Sequence, residues 1–75
     1  MNRPNTHVIA ALRGGWNVRK TGSRRAEKTF ETKLEAVQYG RKVARARKTQ
    51  LVIHREDGLV SERCMYGNDP ASRHK

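Results

Sequence analysis

The longest periodic segment of the chain is Thr32 to Lys48, TKLEAVQYGRKVARARK. Its apolar or small residues fall on one side of a 3.6-residue period, namely Ala36, Val37, Gly40, Val43 and Ala44. Thr32 followed by Glu35 has the spacing of a capping box, which marks a helix start. The pattern therefore predicts a helix over Thr32 to Lys48, with Gly40 allowing a strand or a large side chain to approach closely.

Two short runs precede this helix, HVIAAL at His7 to Leu12 and WNVRK at Trp16 to Lys20. The glycine pair between them predicts a β-hairpin. Since alternate residues of a strand share a face, Trp16 and Val18 lie together, and we expect them to face the helix.

The segment just before the helix, Ala26 to Glu31 (AEKTFE), fits two descriptions. It reads as a third strand with Phe30 pointing inward. Phe30 also fits an apolar anchor packed at the start of the helix. Both alternatives remain open at the level of sequence.

Two further runs follow the helix, LVIHRE from Leu51 and LVSERCMY from Leu59. The dipeptide Asp57-Gly58 lies between them and predicts a second hairpin. Leu51 and Ile53 lie on one face of the first run and Val52 on the other, so the pattern does not decide which face is buried.

These elements predict an α+β fold in a single small domain: an N-terminal β-hairpin with or without a third strand, one α-helix and a C-terminal β-hairpin. With 75 residues, of which 35% are apolar, the core must be thin. We expect the helix to pack on one antiparallel sheet. Residues 1–6 are predicted to be a flexible leader, 7–66 the domain, and 67–75 a turn and flexible tail.

The charge balance bears on function, because 17 Lys and Arg residues oppose 7 Asp and Glu, which gives a formal net charge of +10. Such a field attracts polyanions. The alternative is that the charge only keeps a small domain in solution. The candidate nucleic-acid-binding residues form two clusters, which are Arg19, Lys20, Arg24, Arg25 and Lys28 around the turn after the first hairpin, and Arg41, Lys42, Arg45 and Lys48 on the helix.

Arg41, Arg45 and Lys48 are spaced so that they form one line along the helix, which suits contact with phosphates. The competing interpretation is a solvated outer face, since cations near a helix C-terminus are favoured by the macrodipole. The first cluster strengthens the nucleic-acid interpretation only if it lies on the same side as the helix cluster.

Little in the sequence points to catalysis. Cys64 is the single cysteine, and His7, His54 and His74 show no pairing with one another or with Cys64 at a metal-ligand spacing. No Ser, His and acid order indicates a nucleophile, and no glycine-rich phosphate loop precedes the helix. We therefore expect no enzyme, no catalytic residues, no metal and no cofactor.

The sequence also has no apolar run of membrane-spanning length and no signal-peptide core. We expect no membrane partner and a cytoplasmic location.

Five motifs in one order resemble a small bacterial family, the domain of unknown function 2188: His7-Val8, GGW at Gly14 to Trp16, TKLEA from Thr32, LVIH-x-x-DG from Leu51, and YGNDP from Tyr66. The resemblance covers His7 to Pro70. It implies a compact α+β domain with a hairpin on each side of one helix, in a bacterial or phage cytoplasm, and it carries over no ligand or catalytic residue. The basic helix departs from members that are more acidic there.

Two functions follow from these observations. The first is a non-enzymatic accessory module that binds the backbone of DNA or RNA. The alternative is a protein–protein interaction module, either a homodimer or a binder of an acidic partner, in the manner of a phage or plasmid regulatory protein.

Overall fold

The structure, a computed structural model, describes residues 4–66 of the chain. Its elements in chain order are β1 (Thr6–Ala10), β2 (Trp16–Lys20), β3 (Lys28–Phe30), α1 (Lys33–Arg47), β4 (Gln50–His54) and β5 (Val60–Met65). The predicted tail at 67–75 and the first three residues of the predicted leader lie outside the described residues. No helix within 4–66 is long and apolar enough to cross a membrane.

All five strands form one sheet in the order β3-β2-β1-β4-β5. The pair β1–β4 is parallel and the other three pairs are antiparallel. The α+β prediction is confirmed, and both predicted hairpins are present as β1–β2 and β4–β5. The prediction of a wholly antiparallel sheet is wrong, since the sheet is mixed and β3 adds a fifth strand. The reason is α1, which carries the chain from the edge strand β3 back along the sheet, so that β4 starts at the same end as β1 and runs beside it.

The helix begins and ends close to the predicted positions. The Thr32 hydroxyl accepts the backbone N–H of Glu35 at 3.2 Å, which confirms the predicted cap. Ala36, Gly40 and Ala44 are buried against the sheet. A Cβ placed on Gly40 would lie 3.0 Å from Leu51 Cδ1 and 3.1 Å from Val8 Cγ2, so the sheet approaches α1 closely at this position.

The segment before the helix is a short strand. Phe30 lies opposite Trp16 in the β2–β3 ladder. Its half-buried ring packs against Tyr39 of α1, with the centroids 5.3 Å apart. Phe30 therefore belongs to a third strand and also contacts the helix.

The core lies between α1 and one face of the sheet. Val8, Val18, Leu51 and Ile53 are buried there against the helix. This arrangement answers the question that the β4 pattern left open, because Leu51 and Ile53 face α1 while Val52 faces away. Val52 is nevertheless only 2% exposed, since it lies between its ladder neighbours His7 and Arg63.

The second face of the sheet has no helix or strand over it within residues 4–66, and we call it the open face. Strand alternation and ladder register assign its side chains. They are His7, Ile9, Asn17, Arg19, Thr29, Gln50, Val52, His54, Val60, Arg63 and Met65.

Candidate functional site

The two predicted basic clusters meet at one end of the domain. The β2–β3 loop and the C-terminus of α1 are joined by an ion pair between Glu27 and Arg47, 2.9 Å between the charged atoms. Lys20 lines the same cleft as Arg47 and Lys48. We call this region the basic end and define it by Lys20, Arg24, Arg25, Arg45 and Lys48.

The carboxylates of the described residues lie mostly at the other end. Glu31 and Glu35 flank the start of α1, and Glu56 and Asp57 form part of the β4–β5 turn. That turn lies beside the helix start, since Glu56 and Asp57 line a cleft together with Trp16 and Lys33. Lys33 and Arg55 line that cleft as well, so cations and carboxylates are mixed at the start of α1, whereas cations are in excess at the basic end.

Asp57 fixes the β4–β5 turn through hydrogen bonds to its carboxylate. Its carboxylate accepts from the Arg55 guanidinium and, at 3.0 Å, from the backbone N–H of Leu59. The hydrogen bond from Arg55, followed by that from Leu59, lowers the pKa of Asp57 below its usual range. These contacts fix the turn, and they leave Asp57 a structural role.

The helix line Arg41, Arg45 and Lys48 does not lie free along one outer surface. Arg41 Nε donates to the Tyr66 hydroxyl at 3.1 Å. The Arg45 guanidinium lies 5.5 Å from the centroid of the Tyr66 ring. The half-buried Arg41 thus positions the chain after β5, whereas Arg45 in the last turn remains exposed at the basic end.

Two predicted site residues lie apart from the basic end. Lys28 Nζ is 5.8 Å from the Phe30 ring centroid and 5.6 Å from that of Tyr39, at the β3 edge of the sheet. Lys42 is exposed in the middle of α1. Lys28 directly follows the β2–β3 loop, but its ammonium lies near these two rings. No contact described here joins Lys42 to that loop.

Arg19 belongs to the open face, where it borders a cleft of about 500 Å³. Its guanidinium NH1 donates to the carbonyl of Arg24 at 3.1 Å, so it also fixes the β2–β3 loop. The other residues of the cleft are His7, Ile9, Lys20, Thr21, Gly22, Ser23, Arg24 and His54.

Two histidines form a hydrogen-bonded chain along this cleft. His54 Nδ1 lies 3.1 Å from the Gly58 carbonyl, to which it must donate. Its Nε2, 3.1 Å from His7 Nδ1, is then the acceptor of the His7 proton. His7 Nε2 in turn accepts from the Thr21 hydroxyl at 2.7 Å. Every donor in this series of hydrogen bonds has an acceptor when both rings are neutral. Hydrogen bonding therefore assigns both histidines as the Nδ1–H tautomer.

The surroundings of His7 disfavour its charged form. Partial burial lowers the pKa of His7 below its ordinary value of 6.5, and His54, Arg19 and Arg63 lower it further. No carboxylate occurs among the open-face residues of the described strands. Arg19 and Arg63 therefore have no anionic partner among the open-face residues.

Sequence reasoning missed this part of the molecule. The absence of a metal-ligand spacing said nothing about a hydrogen bond between His7 and His54, which the parallel β1–β4 pairing brings together. A signal was present, because each histidine alternates out of phase with the core residues of its strand, Val8 and Ile53. Among residues 4–66, no group of three or more His, Cys, Asp or Glu side chains could hold a metal ion.

Comparison with known proteins shows the relationship of this chain. Residues 6–66 match a family described as "Uncharacterized protein conserved in bacteria (DUF2188)". The chain is 31% identical over 62 residues to "Uncharacterized protein YdaT" of Bacillus subtilis (strain 168), an alignment that covers 83% of the chain and 41% of that relative. The chain thus spans less than half the length of this relative. A comparison with solved structures finds no match. On the match over 6–66, the chain belongs to the DUF2188 family.

Proposed function

We propose that the chain is a non-enzymatic, cytoplasmic nucleic-acid-binding module that contacts the phosphate backbone. The observation that supports it most is the group of five cationic residues at the basic end, where the carboxylate of Glu27 is paired with Arg47. Lys20, from β2, and Lys48, from the helix, line one cleft, so both clusters present charge to the same partner.

The macrodipole accounts for only part of this arrangement. Cations in the last turn of a helix stabilise it by about 0.3–1 kcal/mol each, which is reason enough for Arg45 and Arg47. Arg24 and Arg25 lie in a separate loop that belongs to no helix. The loop is tied to the helix C-terminus by the ion pair between Glu27 and Arg47. Its two arginines therefore add like charges at this end of the domain, which an anionic partner would offset.

A salt titration tests the proposal. Fluorescence anisotropy with a labelled 20-base-pair duplex and a 20-nucleotide single strand, from 50 to 200 mM salt, measures the affinity. Contacts with three to five phosphates predict a slope of log K against log salt of about −3 to −5 on duplex. Absence of binding at 50 mM salt, or binding with a flat slope, would show that the charge serves another purpose.

Variants locate the contact. Replacing Lys20 and Lys48 by Gln removes two charges at the basic end and is expected to reduce the slope by about 2. The matched control replaces two exposed cations elsewhere, Arg13 in the β1–β2 turn and Lys42 on α1, also by Gln. Equal losses in both variants would mean that net charge alone attracts the nucleic acid.

A second candidate function is self-association through β5. Among residues 4–66 this strand has only β4 as a neighbour, and Val60 and Met65 are 42% and 67% exposed. An unpaired edge of six residues is a template for a second strand. Sedimentation analysis is expected to show a dimer, and the Val60→Lys variant is expected to be a monomer. A wild type that stays monomeric up to about 100 µM, well above the dissociation constants of stable dimers, contradicts this alternative.

A further inference from the structure

We infer that the nucleic acid lies across the open face of the sheet, with a phosphodiester seated in the cleft between His7, Arg19 and Arg24. This inference rests on the proposed function and assigns to it a surface that the basic helix does not provide. The helix packs on the opposite face of the sheet. Lys20 lines both the open-face cleft and the cleft at Lys48, so it connects the open face with the basic end.

The ladder register supplies the first reason. Arg19, His7, Val52 and Arg63 are successive partners across β2, β1, β4 and β5, and they form one row over the open face. Three strand spacings of about 4.8 Å separate its ends by roughly 14 Å. Two arginines anchored on strands that far apart suit an extended polyanion better than a single small anion.

The second reason is that the two arginines of the row have neutral hydrogen-bond partners. Arg63 NH1 donates to the side-chain oxygen of Gln50 at 2.9 Å, a neutral partner. Arg19 donates to the carbonyl of Arg24, also neutral. Neither guanidinium is paired with a carboxylate on this face, so both retain their charge for an anion.

The composition of the open face indicates which part of a nucleic acid it contacts. It carries no Trp, Tyr or Phe from the described strands, so it offers no aromatic platform for stacking bases. Guanidinium, imidazole and hydroxyl groups are instead the donors that phosphate oxygens accept from. The contact is therefore with the backbone and carries no base preference.

His7 makes the contact sensitive to pH. A proton added at Nε2 reverses its bond with Thr21, whose hydroxyl can then donate to the Asn5 carbonyl 3.5 Å away. The groups facing His7 are Arg19 from β2, His54 from β4 and Arg63 from β5, all basic. A phosphate placed among them would favour the protonated ring, so binding takes up a proton and strengthens as pH falls from 8 to 6.

Replacing Arg19 and Arg63 by Gln tests the surface. Affinity for the 20-base-pair duplex at 50 mM salt is expected to fall about tenfold to a hundredfold, and the salt slope by about 2. The control with Arg13→Gln and Lys42→Gln has the same net charge and should bind nearly as the wild type does. A loss in the control that equals the loss in the open-face variant would overturn the inference and leave nucleic-acid binding standing.

The imidazole resonances of His7 provide a second readout that does not depend on variants folding. Their pH titration by NMR is expected to move to higher pH when a 12-base-pair duplex is added. Inorganic phosphate at the same phosphate concentration should leave the titration unchanged, because it cannot span the row. An unmoved titration with bound duplex places the contact elsewhere, and an equal response to inorganic phosphate would indicate a small-anion site instead.

The experiments distinguish failure of the proposed function from failure of the inference about the open face. A wild type that binds no duplex or single strand at 50 mM salt removes the proposed function and the inference with it. A wild type that binds with a steep salt slope, but whose His7 titration and open-face variant are unaffected, removes the inference alone.

Discussion

Lys48 connects the stability of the fold with its proposed function. It ends α1 in the left-handed conformation, with φ 57° and ψ 49°. Its N–H donates to the Arg45 carbonyl at 3.2 Å, and the N–H of Thr49 donates to the Ala44 carbonyl at 2.9 Å. These two bonds form a Schellman motif, in which glycine is the usual residue at the Lys48 position.

The perturbation is Lys48→Gly, compared with Lys48→Gln. Both variants lose the same charge, so their difference isolates the backbone. Left-handed geometry costs a non-glycine residue about 1–2 kcal/mol, and the extra freedom of glycine in the unfolded chain offsets about 0.5–1 kcal/mol of this. We expect the glycine variant to be more stable than the glutamine variant by about 0.5–1 kcal/mol.

Affinity should respond differently. Both variants remove a cation from the basic end, so both are expected to lose about one unit of salt slope on duplex. Lys48→Gly would then be stabilised relative to Lys48→Gln and yet bind equally weakly. Lys42→Gln, which removes an exposed cation from the middle of α1, is the control for net charge.

Urea unfolding followed through Trp16, the single tryptophan, measures stability, and anisotropy measures binding. If the two Lys48 variants are equally stable, the strain argument is refuted. If Lys48→Gln binds as tightly as the wild type, Lys48 makes no phosphate contact.

Three further predictions concern the fold. Gly40→Ala should lower the free energy of unfolding by about 1 kcal/mol, measured in urea. Overpacking against Leu51 and Val8 costs about 1–3 kcal/mol, which exceeds the gain in helix propensity of about 1 kcal/mol. A more stable variant would show that the sheet side chains move aside at little cost. His7 has a folded pKa below 6.5, so the unfolded state binds more protons and stability should fall as pH drops below 6.5. His7→Asn should flatten that part of the pH profile, and an unchanged profile contradicts the assignment. Thr6→Val should raise the free energy of unfolding by about 1 kcal/mol, measured in urea, because the buried Thr6 hydroxyl has no hydrogen-bond partner among the described residues. A loss of stability would mean that this hydroxyl does form a hydrogen bond in the folded protein.

Local patterns predicted the elements of this domain well. The helix start follows from Thr32 and Glu35, because a cap involves residues three apart. The hairpin turns at Gly14-Gly15 and Asp57-Gly58 involve neighbours only. The buried stripe of α1 follows from its 3.6-residue period, which covers Ala36, Gly40 and Ala44.

The strand order did not follow from such patterns. Pairing β1 with β4 joins segments more than 40 residues apart, and nothing within either strand distinguishes a parallel from an antiparallel neighbour. A helix between two strands was itself a reason to expect a parallel pair. That step would have placed His54 near His7, and the open face would have followed from alternation.

By itself, then, the sequence determined the elements, the thin core and the large excess of positive charge, because these depend on composition and on residues a few positions apart. Only the tertiary structure decided where the charge lies. Helix α1 returns the chain to the end where β2 stops, which brings Lys48 beside Lys20. The parallel strand then places His7 next to His54, 47 positions away in the chain. Distances of this kind are fixed by packing between elements, which no local period encodes.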